Sequence, residues 1–393
     1  FETTRDSLDL QTRHPLVRAF LEVRSVPVPV YAVLSRLDGS TALSFEPAHS
    51  TLSVVPPEHD TRHPLLDTQI YPLWPNAART MNLGPGGFEG PLVLGGRGTP
   101  EDLAGKDLTG AVVLLDWTPG RDFMNAAVLG ARVLLFAEPA DLTRIEMEGK
   151  INTVSLDLPK FWVAGGDARA LRALAGQKVH LESQQCWERG EAFNIRARLP
   201  GTDVRETSRP ILLASPYDSF GLVPDLAPGA EQAAGPAVLL EMARTLSAHP
   251  VRKPVEFFFH AGRLDRYAGL RLEVEAIRAR IIRAKKEGRS PDPPAPSLIL
   301  NFENTSRSPQ LAVCFTGHLV RQGLTELQRR VSPLGARFAS AFRSAAKALG
   351  TDPQLVGDAV NPVEGRSWDS YLLGPFAVSS ELPLLAGLLS YTF

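Results

Sequence analysis

ASPYDSFGLVPDLAPGAEQAAGPAVLLEMAR, residues Ala214–Arg244, carries the chain out of an apolar run, across a loop and into a helix. The apolar run is PILLAS (Pro210–Ser215), and the loop is rich in Pro, Gly and Asp. Beyond it Val238, Met242 and Leu246 form one stripe, with Leu239 adjoining. That spacing predicts an amphipathic helix lying on a sheet. PVEFFF (Pro254–Phe259) and SLILNF (Ser297–Phe302) follow as further uninterrupted apolar runs of strand length. Strands buried on both faces read this way in a parallel or mixed sheet. The expected fold class is therefore α/β, with a mixed, mostly parallel sheet covered by helices on both faces.

Working outward, NIRARL (Asn194–Leu199) alternates apolar and basic residues like a half-exposed strand. A helix is expected over Ala268–Glu287, ended by the proline-rich SPDPPAP (Ser290–Pro296), and another over Ala336–Leu349. The basic residues of the first read as a solvated helix face. Upstream, GAVVLLD (Gly110–Asp116), FMNAAVLG (Phe123–Gly130) and VLLF (Val133–Phe136) make a compact strand–helix–strand pattern. The GGRG of Gly95–Gly98 lacks the spacing of a nucleotide loop and reads as a turn. Three divisions follow: an N-terminal segment over 1–80 packing on the last domain, a smaller β-rich domain over 81–188, and the main domain over 189–393.

Composition limits the partners. The chain has 393 residues, 42 Lys+Arg against 43 Asp+Glu, and 44% hydrophobic residues. Those values describe a folded protein with no electrostatic case for nucleic acid. Cys186 and Cys314 are too few for a disulfide framework or a cysteine-rich zinc module. No apolar stretch approaches the roughly 20 residues of a membrane helix. The chain opens on Phe1 without a basic-then-apolar leader, which points to a processed or excised portion of a longer product.

Ligands of open α/β sheets bind beyond the strand ends. The segments there are ASPYDSFGLVPDLAPGAEQAAGPAVLLEMAR, HAGRLDRYAGL (His260–Leu270) and NFENTSRS (Asn301–Ser308). Over about residues 190–393 this pattern resembles the M28 family of zinc aminopeptidases, including its nicalin- and nicastrin-like and bacterial membrane-anchored members. LAGKDLTGAVVLLD and NAAVLGARVLLF resemble the protease-associated (PA) domain that often precedes that peptidase domain.

The resemblance implies a co-catalytic zinc pair, which needs about three protein ligands per metal, a bridging carboxylate and a glutamate base. Pro216 stands at the place of a histidine ligand and offers no donor atom. Asp218 keeps the place of the aspartate that orients that histidine. Glu231 stands at or beside the bridging aspartate. Gly262 and Arg263 fall where two glutamates are expected, which removes the base and puts a fixed cation at a metal position. Glu303 replaces a later aspartate. In SSELPLLAGL (Ser379–Leu388), Leu382 replaces a histidine. An arginine beside two acids makes better sense as an internal ion pair than as a zinc site. His260 lies two residues before Gly262, and Cys314 with His318 four residues on could bind a metal in principle, but two ligands without partners read better as a core cysteine and a satisfied histidine. No Gly-x-Ser-x-Gly elbow is present.

The resemblance with these losses implies a non-catalytic module, a pseudopeptidase. It would bind a protein or peptide, or serve as a scaffold, in an extracytoplasmic, membrane-associated assembly, with no catalytic residue and no metal. The competing expectation is an active zinc aminopeptidase with relocated ligands or ligands beyond Phe393.

Overall fold

A computed structural model describes residues 24–29, 44–54, 66–73, 81–118, 121–140, 156–188, 191–203, 209–218, 223, 226, 232–263, 267–304, 310–314, 325–357 and 378–393. In chain order the first elements are β1 (Arg24–Pro29), β2 (Ser44–Val54), β3 (Asp67–Gln69), β4 (Tyr71–Pro72), β5 (Phe88–Gly96) and α1 (Pro100–Leu103). Next come β6 (Val112–Asp116), α2 (Phe123–Val128), β7 (Val133–Ala137), β8 (Lys160–Val163), α3 (Gly165–Ala173) and β9 (Lys178–Glu188). The later chain forms β10 (Glu191–Leu199), β11 (Ile211–Pro216), α4 (Ala234–Ala248), β12 (Val255–His260), α5 (Ala268–Lys286) and β13 (Leu298–Asn301). It ends with β14 (Leu311–Ala312), α6 (Thr325–Ala348), β15 (Val356–Gly357), α7 (Glu381–Leu385) and β16 (Ser390–Thr392).

Two compact units result. The larger comprises Phe1–Tyr31, Gly190–Ser219 and Gly229–Phe393, and the smaller Ala32–Arg189 with Phe220–Pro228. The expected boundary at residue 80 is therefore misplaced. β1 pairs with β10 in the larger unit, but β2, β3 and β4 complete the sheet of the smaller one. Backbone pairing of β2 along β9 puts them there, a long-range contact that local composition does not announce.

In the larger unit the sheet order is β1-β10-β12-β11-β13-β16. β12, β11, β13 and β16 are mutually parallel, and β10 and β1 add antiparallel strands at one side. Successive side chains alternate between two cores, as the pleat requires. Phe257 and Phe259 pack with α4 and α6 on one face, and Phe258 packs with α5 and α7 on the other. The expected mixed sheet with helices on both faces is what forms.

Two helices differ in detail from expectation. On α4, Val238 is 38% exposed and Leu239 is sealed, so the buried stripe is turned by one residue toward Gly235, Leu239 and Met242. The reason is close approach: a Cβ on Gly235 would meet the Phe302 carbonyl oxygen at 2.4 Å and Ser215 Oγ at 2.6 Å. Only glycine lets the helix sit this near β11 and β13. α6 begins at Thr325, eleven residues before the expected Ala336, and carries Pro333 inside it. Packing of Leu334, Phe338 and Phe342 on the core outweighs the breaker signal of Pro333 and Gly335.

The smaller unit holds an eight-stranded sheet, β3-β2-β9-β5-β6-β7-β8-β4. Its two faces carry separate cores. One gathers Leu115, Trp117, Phe136, Trp162 and Val223; the other gathers Leu52, Val112, Leu135, Phe161 and Leu181. Among the described residues no helix is long and apolar enough to cross a membrane.

Candidate functional site

After β11 the chain goes through α4 to β12 on one side, then through α5 to β13 on the other. This reversal makes a switch point, and in open α/β sheets ligands bind there, beyond the carboxyl ends of the strands. The three strand ends are in register: Pro216 pairs with His260, and Ala214 with Asn301. Asp218, Gly262, Arg263 and Glu303 therefore leave the same edge of the sheet. Glu231, expected among them, lies outside the described residues.

Pro216 ends β11 and presents no donor. Two residues on, Asp218 Oδ2 accepts hydrogen bonds from the backbone N–H groups of Gly262 and Arg263, both at 2.9 Å. Asp218 Oδ1 has no hydrogen-bond partner among the described residues. Burial raises the acid's pKa, against the opposing pull of those amides and of the Arg263 charge. Asp218 thus splints the turn after β12, not a histidine.

That turn is tight. Gly262 has φ +77°, and a Cβ there would meet the Ala268 Cβ at 2.8 Å. Tyr267 takes the left-handed conformation, φ 56° and ψ 46°, at the start of α5. Such a backbone is costly for a bulky side chain and persists where surrounding contacts hold it. Here the Tyr267 hydroxyl donates to Glu303, 3.2 Å from Oε2 and 3.4 Å from Oε1. Asn194 of β10 braces the same turn, accepting from Ala261 N at 3.3 Å and donating to Gly269 O at 2.9 Å.

Glu303 is the hub. Arg263 Nη2 lies 2.7 Å from its Oε2, with the two side chains only 12% and 7% exposed. Ser379 donates to Oε1 from its backbone N at 2.9 Å and also from its hydroxyl. Ser380 N donates to Thr392 Oγ1 at 3.0 Å, tying the start of α7 to β16. The carboxylate is thus held by a guanidinium, a phenol, a serine hydroxyl and an amide. Its acceptor capacity is used from within the chain.

His260, considered as a replacement ligand, is fully buried at the end of β12. Its ring stacks on Phe258, with centroids 5.9 Å apart, and meets Tyr267 edge-on at 6.3 Å. Burial, helped by the Arg263 charge, holds its pKa down at about 3, so the ring is neutral. Neither ring nitrogen has a hydrogen-bond partner among the described residues. His318 and Glu231 lie outside the described residues.

The fold is that of the M28 peptidases. The chain superposes over 99% of its length on 78% of BSAP, a zinc aminopeptidase from Bacillus subtilis, with a TM-score of 0.55 at 16% identity. It superposes over all of its length on 79% of a peptidase M28 precursor from Shewanella amazonensis, with a TM-score of 0.55 at 15% identity. No family profile and no curated protein sequence matches the chain.

The described residues do not fit the zinc pair that the resemblance implies. The Glu303 carboxylate is committed to Arg263, and a guanidinium beside a metal ion would be repelled by it. Pro216 and Gly262 supply no side-chain donor. No group of three His, Cys, Asp or Glu side chains capable of holding a metal occurs among the described residues.

Sequence reasoning placed Arg263 beside an acid but missed what surrounds the pair. Ser379 lay inside a segment already singled out, SSELPLLAGL, so its hydroxyl was within reach of inspection. Tyr267 lay inside HAGRLDRYAGL, also singled out, but its left-handed backbone has no sequence signature. Asn194 looked like one polar position of an exposed strand face, yet it is buried.

Proposed function

We propose that this chain is a non-catalytic module on the M28 peptidase fold, a pseudopeptidase that binds a protein or peptide or serves as a scaffold. The observation that carries this reading is the buried Arg263–Glu303 ion pair at the switch point of the sheet. It sets a permanent cation against one of the few acids left for a metal, and neither Gly262 nor Arg263 can act as the base that deprotonates water. The PA-like character of the smaller unit is supported by the resemblance of LAGKDLTGAVVLLD and NAAVLGARVLLF to that domain, and an extracytoplasmic, membrane-associated setting by the resemblance to nicalin-type members. Zinc is not part of the proposed activity.

Metal content by elemental mass spectrometry, after dialysis against a mild chelator, tests this directly. Under about a tenth of an equivalent of zinc leaves no Lewis acid for hydrolysis and agrees with the proposal. One or two retained equivalents, together with release of N-terminal amino acids from peptides, would overturn it in favour of an aminopeptidase with relocated ligands.

A further inference from the structure

Three nitrogen donors in the smaller unit are buried without an acceptor among the described residues: Lys160 Nζ, Trp117 Nε1 and Trp162 Nε1. Lys160 and Trp162 are 0% exposed and Trp117 8%. Buried polar groups are normally paired, so a group of unmatched donors calls for an acceptor that the described residues do not supply. The donors share one side of the sheet. Lys160 and Trp162 are two apart on β8 and so point to the same face. Trp117 follows β6, and its ring meets that of Trp162 edge-on with centroids 5.8 Å apart.

The surroundings are apolar. Leu134 pairs in register with Lys160, and Phe136 with Trp162. Both belong to the core that Trp117, Trp162, Leu158 and Val223 complete. Among the described residues of this unit the buried polar side chains are Thr68, Lys160 and Ser183, with no carboxylate. Burial alone holds the lysine amine down at about 8, and no neighbouring charge contributes. A cation without a counter-ion in an apolar wall is costly, and an anion brought to it from solution removes that cost.

The geometry points to a binding site for one small monovalent anion, a halide or a formate-sized carboxylate, between Lys160 and the indoles of Trp117 and Trp162. Lys160 supplies the charge and a donor, and the indoles supply neutral N–H donors that select against cations. This inference concerns the smaller unit and does not rest on the pseudopeptidase reading.

The test uses the whole chain in gluconate buffer at constant ionic strength. Chloride, bromide and formate replace gluconate in separate titrations, followed by melting temperature and tryptophan emission. We expect a saturable response to at least one anion, with a melting-temperature rise of about 5 °C when the anion is at 100 times its Kd. Whether halide or formate acts at lower concentration tells which of the two the site takes. Lys160→Met, a neutral residue of similar length, should fold with an unchanged circular dichroism spectrum and lose the response. Trp162→Phe should weaken it several-fold. No saturable response in the wild type would mean that the donors meet water only, and would overturn the inference. A response that survives in Lys160→Met would overturn it equally.

Discussion

Arg263 Nη2 stands 2.7 Å from Glu303 Oε2, the arginine arriving from the turn after β12 and the glutamate from the end of β13. Breaking a pair this well sealed strands the survivor. Arg263→Met and Glu303→Gln should each cost about 3 kcal/mol in urea unfolding, and the double variant far less than the sum. Arg263→Glu should be the worst of the set, because it adds like-charge repulsion. Additive costs, or an unchanged melting temperature for Arg263→Glu, would mean that the pair contributes nothing.

Ser379 and Tyr267 also hold Glu303, unequally. The serine hydroxyl donates to the carboxylate from a fully buried position, whereas the tyrosine hydroxyl stands 3.2 Å and 3.4 Å from the two oxygens. Ser379→Ala should therefore cost about 2 kcal/mol and Tyr267→Phe about 0.5 kcal/mol. Denaturant midpoints at constant m-value would rank them; the reverse order would refute this assignment.

Gly235→Ala probes the packing of α4. With backbone and hydroxyl oxygens standing 2.4 Å and 2.6 Å from the new methyl, the helix has to shift. A loss of about 2 kcal/mol is expected. Thermal melting of Gly235→Ala beside Ala237→Gly, at an exposed position of the same helix, separates this clash from helix propensity.

Lys160 makes stability depend on pH on the alkaline side. Its amine is lowered from 10.5 to about 8 in the fold, so between those values the unfolded chain binds the proton and the folded chain does not. Stability of the anion-free protein should rise with pH across that window, by about 3 kcal/mol in all. Below pH 8 the full penalty applies, so Lys160→Met should be more stable than wild type at neutral pH and should lack the rise. Unfolding free energies measured in gluconate between pH 7 and 10.5 decide the point, and a flat wild-type profile would contradict it.

The sheet of the larger unit was legible because its strands are apolar on both faces and its helices keep a 3.6-residue period. PILLAS, PVEFFF and SLILNF each became a strand. What escaped was set by long-range contact. β2 belongs with β9, more than a hundred residues later, and no local pattern records that pairing. The rotation of α4 by one residue depends on Gly235 meeting β11 and β13. At the site, Arg263 and Glu303 were readable as a cation and an acid near each other. The Tyr267 contact, by contrast, follows from a backbone angle, and the burial of Asn194 from the helix laid over it. Lys160 was invisible for a related reason: only a finished sheet shows that a lysine between Pro159 and Phe161 points inward.

The guanidinium opposite Glu303 is built into the polypeptide and arrives with translation. Where a metal supplies the positive charge, a folded site depends on supply from outside, and its loss is felt as loss of stability. Here the counter-charge has fixed stoichiometry and no dissociation constant. The junction of β12 and β13 would hold equally well in a zinc-starved and a zinc-replete compartment.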